Sequence, residues 1–135
     1  MAIVTCPELH AYAETIGVHL TKHTGGVKGY YLDSSRTIST RRGLSIQAYK
    51  STLAHELGHA THRDRPTGNG HFDQRQEVRA DQFAANLLID SHSFWDAVRW
   101  HQGHLPAVAD ELEVTRHILR VYLAQNSTPL ERIHT

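Results

Sequence analysis

A chain of 135 residues with 39% hydrophobic side chains suits one domain, spanning 1–135, built round one core. Fourteen basic and fourteen acidic side chains cancel, which excludes a general attraction to nucleic acid or an anionic membrane surface, and no apolar run approaches the roughly 18 residues of a membrane span. Cys6 is the only cysteine, so an internal disulfide is excluded; with neither the basic patch nor the apolar run of a signal peptide at the N-terminus, the expected compartment is the cytoplasm.

Pro7 opens a segment with Leu9, Tyr12, Ala13 and Ile16 at helical spacing, and Gly17 stands where a helix stop belongs. Residues 18–22 read as a short strand and Gly25-Gly26 as a turn. Residues 27–32 and 36–40 favour two further strands, joined by the hairpin loop Asp33-Ser34-Ser35. A small antiparallel sheet is therefore expected ahead of the next helix. Ser45 is a suitable N-cap for that helix, which runs to about Arg63 and gives way to a glycine-rich loop over 64–70. Asp73 and Gln76 make a D-x-x-Q capping box for a second helix, in which Ala80, Phe83, Ala84 and Leu87 form an apolar stripe.

Ser91 or Ser93 is expected to cap a helix containing Phe94, Trp95 and Val98 and ended by Gly103, and Pro106 fits the first turn of another. Apolar residues continue over 107–123 with a break near Glu113, a helix-turn-helix pattern. Its second helix offers only Arg116, His117 and Arg120 to a phosphate backbone, so packing is expected there rather than DNA reading. Residues 126–135 read as a loose tail. The expected fold is α+β: a small antiparallel sheet with the first long helix over about 1–63, then the second helix and a C-terminal helical bundle over about 73–125.

The chemistry concentrates in His55-Glu56-Leu57-Gly58-His59. A four-residue step returns nearly to the same face of a helix, so both imidazoles can grip one zinc ion while Glu56 sits at its rim as acid and base for hydrolysis. With twelve histidines in the chain, roughly 0.05 chance matches to HExxH are expected, so context must decide. Leu53, Leu57 and Ala60 form an apolar stripe opposite His55 and His59, which leaves one face for a core and one for a metal. Gly58 costs about 1 kcal/mol of helix stability relative to alanine, and a close backbone approach would account for it.

Zinc needs a third protein ligand. His62 continues the histidine face, but from His55 to His62 is about 10 Å of helix, too far for one ion, so His62 is expected at the surface or behind a ligand. The metzincin pattern, with glycine at 62 and histidine at 65, is absent; the chain has His62 and Arg65. Glu77 lies eighteen positions after His59 and shares one flank of the second helix with Asp81. There Glu77 can bind the metal while Asp81 accepts the free ring N–H of a liganding histidine. The bland alternative is a solvated pair of acids near a helix start, favoured by the macrodipole. Tyr30, Tyr31, His71 and His92 are all conceivable oxyanion donors, and the strand over 37–40 can pair with an extended substrate if it forms the sheet's edge.

HELGH followed by a helix of the form ExxADxFAAxLL resembles the ImmA/IrrE metallopeptidases, small zinc proteases of bacteria, phages and mobile elements, over about residues 9–123. The resemblance implies a zincin-like core, zinc on His55, His59 and Glu77, and Glu56 as catalytic acid/base. It also implies regulated cleavage of a protein partner, a transcriptional repressor. This chain departs from the family where a second acid is common and Arg79 stands, and at Ile89-Asp90, where Met-Pro is common. The alternative expected function is a zinc-containing binding or regulatory module that uses the same scaffold without turnover; a DNA-binding factor using the C-terminal helices ranks behind both.

Overall fold

Thr5 caps the first helix, α1 (Cys6–Thr15), through a capping box in which its side chain accepts the Glu8 N–H while the Glu8 carboxylate takes the Thr5 N–H. Gly17, at φ +73°, turns the chain out of α1 and into the first strand, as its position in the sequence suggests. The structure, a computed structural model, describes residues 3–126, so the tail expected beyond Asn126 falls outside the described residues.

Three strands follow: β1 (His19–His23), β2 (Gly29–Leu32) and β3 (Thr37–Arg41). Their order is β1-β3-β2, with β2 antiparallel to β3 but β1 parallel to it, His19 opposite Thr37 and His23 opposite Arg41. The sheet is thus mixed, and the expectation of a purely antiparallel sheet is corrected. Strand-like composition identifies segments but carries no direction, and the 24–28 turn lets β2 pass to the far side of β3. A second correction follows. β3 is central and buried at Ile38, Ser39 and Thr40, so the 37–40 segment is not an edge open to substrate. The exposed edges are β1 and β2.

Among the described residues five helices complete the fold: α2 (Ile46–His62), α3 (Gly70–Leu88), α4 (Ser91–Trp100), α5 (Leu105–Glu111) and α6 (Arg116–Gln125). Ser45 caps α2 as expected. α3, however, begins a turn before the D-x-x-Q box, because Asn69 Oδ1 accepts the N–H groups of both His71 and Phe72. Asp73 is thereby released to bind the loop through the Thr67 N–H and hydroxyl, which hold its carboxyl below the ordinary range. Asp90, not Ser91 or Ser93, caps α4, its carboxylate accepting from the Ser93 N–H. The chain breaks between α5 and α6 with Glu113 at φ +56°, where the sequence suggests it.

One apolar cluster joins these elements, running from Leu9 and Ala13 through Ile38, Leu53 and Leu57 to Phe94, Val108, Leu119 and Tyr122. Val108, Leu112, Val114 and Ile118 all lie inside it, so the apolar side of the α5–α6 pair is spent on packing. Two polar ties fix the turn between those helices to α2. Lys50, almost wholly buried, reaches Glu113 at 2.8 Å, and the Thr115 N–H donates to Ser51 Oγ at 3.0 Å. A buried ammonium left without its carboxylate would be strongly destabilising, so the pair holds the turn in one place. No helix among the described residues is long and apolar enough to cross a membrane.

Candidate metal centre

Gly58 explains how two helices come to share one site. A Cβ placed there would stand 3.1 Å from Ala80 Cα and 3.1 Å from Phe83 Cβ, tighter than ordinary packing, so α2 and α3 touch at their backbones where Gly58 meets Ala80. The residues three before and one after each crossing point lie on the flank of the contact. On α2 these are His55 and His59; on α3 they are Glu77 and Asp81. Leu53, Leu57 and Ala60 on the opposite face of α2 are fully buried, which sets the rotation of the helix.

One donor atom from each of His55, His59 and Glu77 lies within 4.8 Å of the others. Glu77 Oε1 is 3.3 Å from His55 Nε2, and its other oxygen contacts His59 Nε2. Each imidazole is held from behind. His55 Nδ1 is 2.8 Å from Asp81 Oδ1, and His59 Nδ1 is 2.9 Å from Asp64 Oδ2. A carboxylate can only accept, so both Nδ1 atoms donate, and each ring presents its Nε2 to the Glu77 carboxylate. With both Nε2 atoms unprotonated, the three would be electron-pair donors facing one another, an arrangement that a cation between them would satisfy. Two imidazole nitrogens and one carboxylate oxygen, with carboxylates orienting the rings, suit a divalent ion with an open coordination position.

Glu56 is 7% exposed and lies between two hollows. A cavity of about 310 Å³ on one side is bounded by Gly29, His59, Asp64 and Glu77 as well as Glu56, and one of about 480 Å³ on the other by Val27, Thr52, His55 and Ile118. Burial raises the Glu56 carboxyl above the usual carboxylate range, against the opposing pull of His55 and His59. Burial alone would lower His55, but the Asp81 hydrogen bond and the charges of Glu56, Asp81 and Glu77 outweigh it and leave the ring raised. Asp81 is likewise opposed by burial, yet hydrogen bonds from His55 and His117 bring it below its ordinary value. Gly29 is required where β2 passes the site: a Cβ there would lie 2.5 Å from Thr52 Cγ2 and 3.4 Å from Glu56 Cγ.

Of the other candidates, Tyr30 and Tyr31 border the smaller hollow beside Glu56, and His62, His71 and His92 border neither. His62 is exposed, donates Nδ1 to the Gly58 carbonyl and lies edge-on to Phe83. Tyr31 donates its hydroxyl to Asp33 and accepts from Arg36, Tyr30 packs on the His23 ring, His71 packs on Phe72, and His92 pairs with Asp96 on α4. Two features escape sequence reasoning. Asp64 sits just beyond Arg63, whose left-handed φ of +54° ends α2 and folds the chain back so that the Asp64 N–H reaches the His59 carbonyl. Arg79 then closes on the far oxygen of Asp64. An acid two residues past a helix end is too common to signal this, although the basic residue at position 79, where the resemblance suggests an acid, is the trace it leaves.

A family model named Peptidase_M78 and described as the IrrE N-terminal-like domain matches residues 13–123. No curated protein matches the sequence.

Proposed function

Because this chain belongs to the Peptidase_M78 family, the ImmA/IrrE metallopeptidases it resembles, we propose that it is a zinc-dependent endopeptidase that cuts a specific protein partner, a transcriptional repressor, in the cytoplasm. The observation that carries this reading is the convergence of His55 Nε2, His59 Nε2 and the Glu77 carboxylate beside the buried Glu56. Zinc held by those three side chains supplies Lewis acidity, lowering the pKa of water towards about 7 and steadying negative charge on a carbonyl oxygen.

The remaining steps belong to the protein. The Glu56 carboxylate accepts a proton from the attacking water and returns it to the departing amine nitrogen, a task helped by the burial that holds its carboxyl above the usual carboxylate range. Asp81 and Asp64 keep the Nδ1 protons of His55 and His59 in place, so that each Nε2 stays a lone-pair donor throughout. β2 is an edge strand, and its Gly29–Tyr31 segment borders the smaller cavity, so its free backbone groups can align an extended peptide across Glu56.

The test incubates the chain and its Glu56→Gln form with a candidate repressor and follows fragments by mass spectrometry. Cleavage by the first and not the second is expected, with equal zinc in both. Zinc binding without cleavage of any candidate partner by either would replace the peptidase with a non-catalytic binding module. Glu77→Ala should lose zinc, and full retention would remove Glu77 from the ligand set.

A further inference from the structure

Asp81 has two oxygens and both are used. Oδ1 takes the His55 Nδ1 proton, and Oδ2 lies 2.7 Å from Nε2 of His117, which must donate because a carboxylate cannot. His117 stands in the first turn of α6, thirty-six residues from Asp81, so nothing in local chain geometry brings the two together. The ties that do are those on the turn before it: Lys50 to Glu113, and Ser51 to the N–H of Thr115, whose hydroxyl in turn caps α6. His117 is itself 62% exposed at the side chain, so it fills no core space. Among the described residues, its one side-chain hydrogen bond is with the carboxylate behind His55.

Resting on the zinc reading above, we infer that His117 is a positioning residue for the metal ligand His55. A carboxylate hydrogen-bonded on one oxygen alone can swing about its Cβ–Cγ bond; donation from His117 to Oδ2 fixes the plane in which Oδ1 meets the imidazole. His55 thereby keeps both its ring orientation and the tautomer that leaves Nε2 free. Removal of such an outer partner typically lowers metal affinity by about 10- to 100-fold, and one step further out the lower end applies. The C-terminal helix thus belongs functionally to the metal site.

The deciding experiment measures zinc affinity by chelator competition for the wild type, His117→Leu, His117→Ala, His117→Gln and, as a control on the same exposed turn, Arg116→Ala. The Leu and Ala forms should bind zinc about tenfold more weakly, whereas Gln, which still offers an N–H, should stay within about twofold of wild type. Cobalt substituted for zinc should show a shifted visible absorption in the Leu and Ala forms and an unshifted one in the Gln form. Thermal unfolding of the metal-free chains, equal across the set, separates this from a loss of fold. Unchanged zinc affinity and cobalt spectrum in the Leu and Ala forms overturn the inference. A wild type that binds no zinc would instead sink the zinc reading, and this inference with it.

Discussion

The two histidines of the site are supported by arms of opposite construction. His59 is backed by Asp64, only five residues away, which is 6% exposed at the side chain and closed by the permanent charge of Arg79. His55 is backed by Asp81, 23% exposed, which is closed by His117 from a helix much later in the chain. The first arm is assembled by one helix end and the helix beside it. The second exists only when α2, α3 and α6 are packed together. A metal site can therefore be half local and half tertiary, and the local half should persist when the C-terminal helices loosen.

The contrast can be broken or sharpened in graded steps. Glu56→Gln sets the scale: cleavage should fall by about 10²- to 10⁴-fold with zinc retained, since neither arm is touched. A parallel fall in zinc content would show that Glu56 also holds the site together. Next come Asp64→Ala and Asp81→Ala, each expected to lower zinc affinity by about 10- to 100-fold in chelator competition. Asp64 should be the costlier loss, because it is the better buried and its removal strands Arg79. Equal losses would erase the distinction between the arms.

Arg79→Met should weaken zinc by less than about fivefold, since an exposed ion pair is worth about 0.2–1 kcal/mol, and the deficit should shrink in high salt. The smallest effect is on stability. Asp33 anchors the loop that carries Asp64, through Arg63 and Arg65, and donation from the Tyr31 hydroxyl followed by Arg63 holds its carboxyl below the ordinary value. A depressed carboxyl contributes stability that is fully present above the unfolded-state pKa of about 3.9 and lost as pH falls through its own lower value. Urea denaturation at a series of pH values should show that acid loss in the wild type and a flatter acid limb in Asp33→Asn.

Much of this was legible in the chain. The α2 cap at Ser45, its apolar stripe, the break at Glu113 and the pairing of His55 with His59 and of Glu77 with Asp81 on one flank of each helix rest on short-range signals, which sequence carries well, whereas the meeting of the two pairs is made by the Gly58–Ala80 contact. The direction of β1 was not legible, because strand composition does not encode which neighbour a strand will take. The sequence offers two competing caps for α3, and Asn69 prevails because it serves two N–H groups where Asp73 in a capping box would serve one. Asp64 and His117 are not legible as partners in the sequence, for a common reason. Each acts through a contact made by the fold, one at a helix end turned back on itself and one across thirty-six residues.

The Gly58–Ala80 contact sets how near the two donor-bearing helices can lie. A methyl group at position 58 would have to displace its neighbours by a few tenths of an ångström, and His55 and His59 on one helix and Glu77 and Asp81 on the other ride on the backbones that would part. The hydrogen of one glycine thus gauges the aperture between the donors, which becomes a matter of how closely two backbones are allowed to lie.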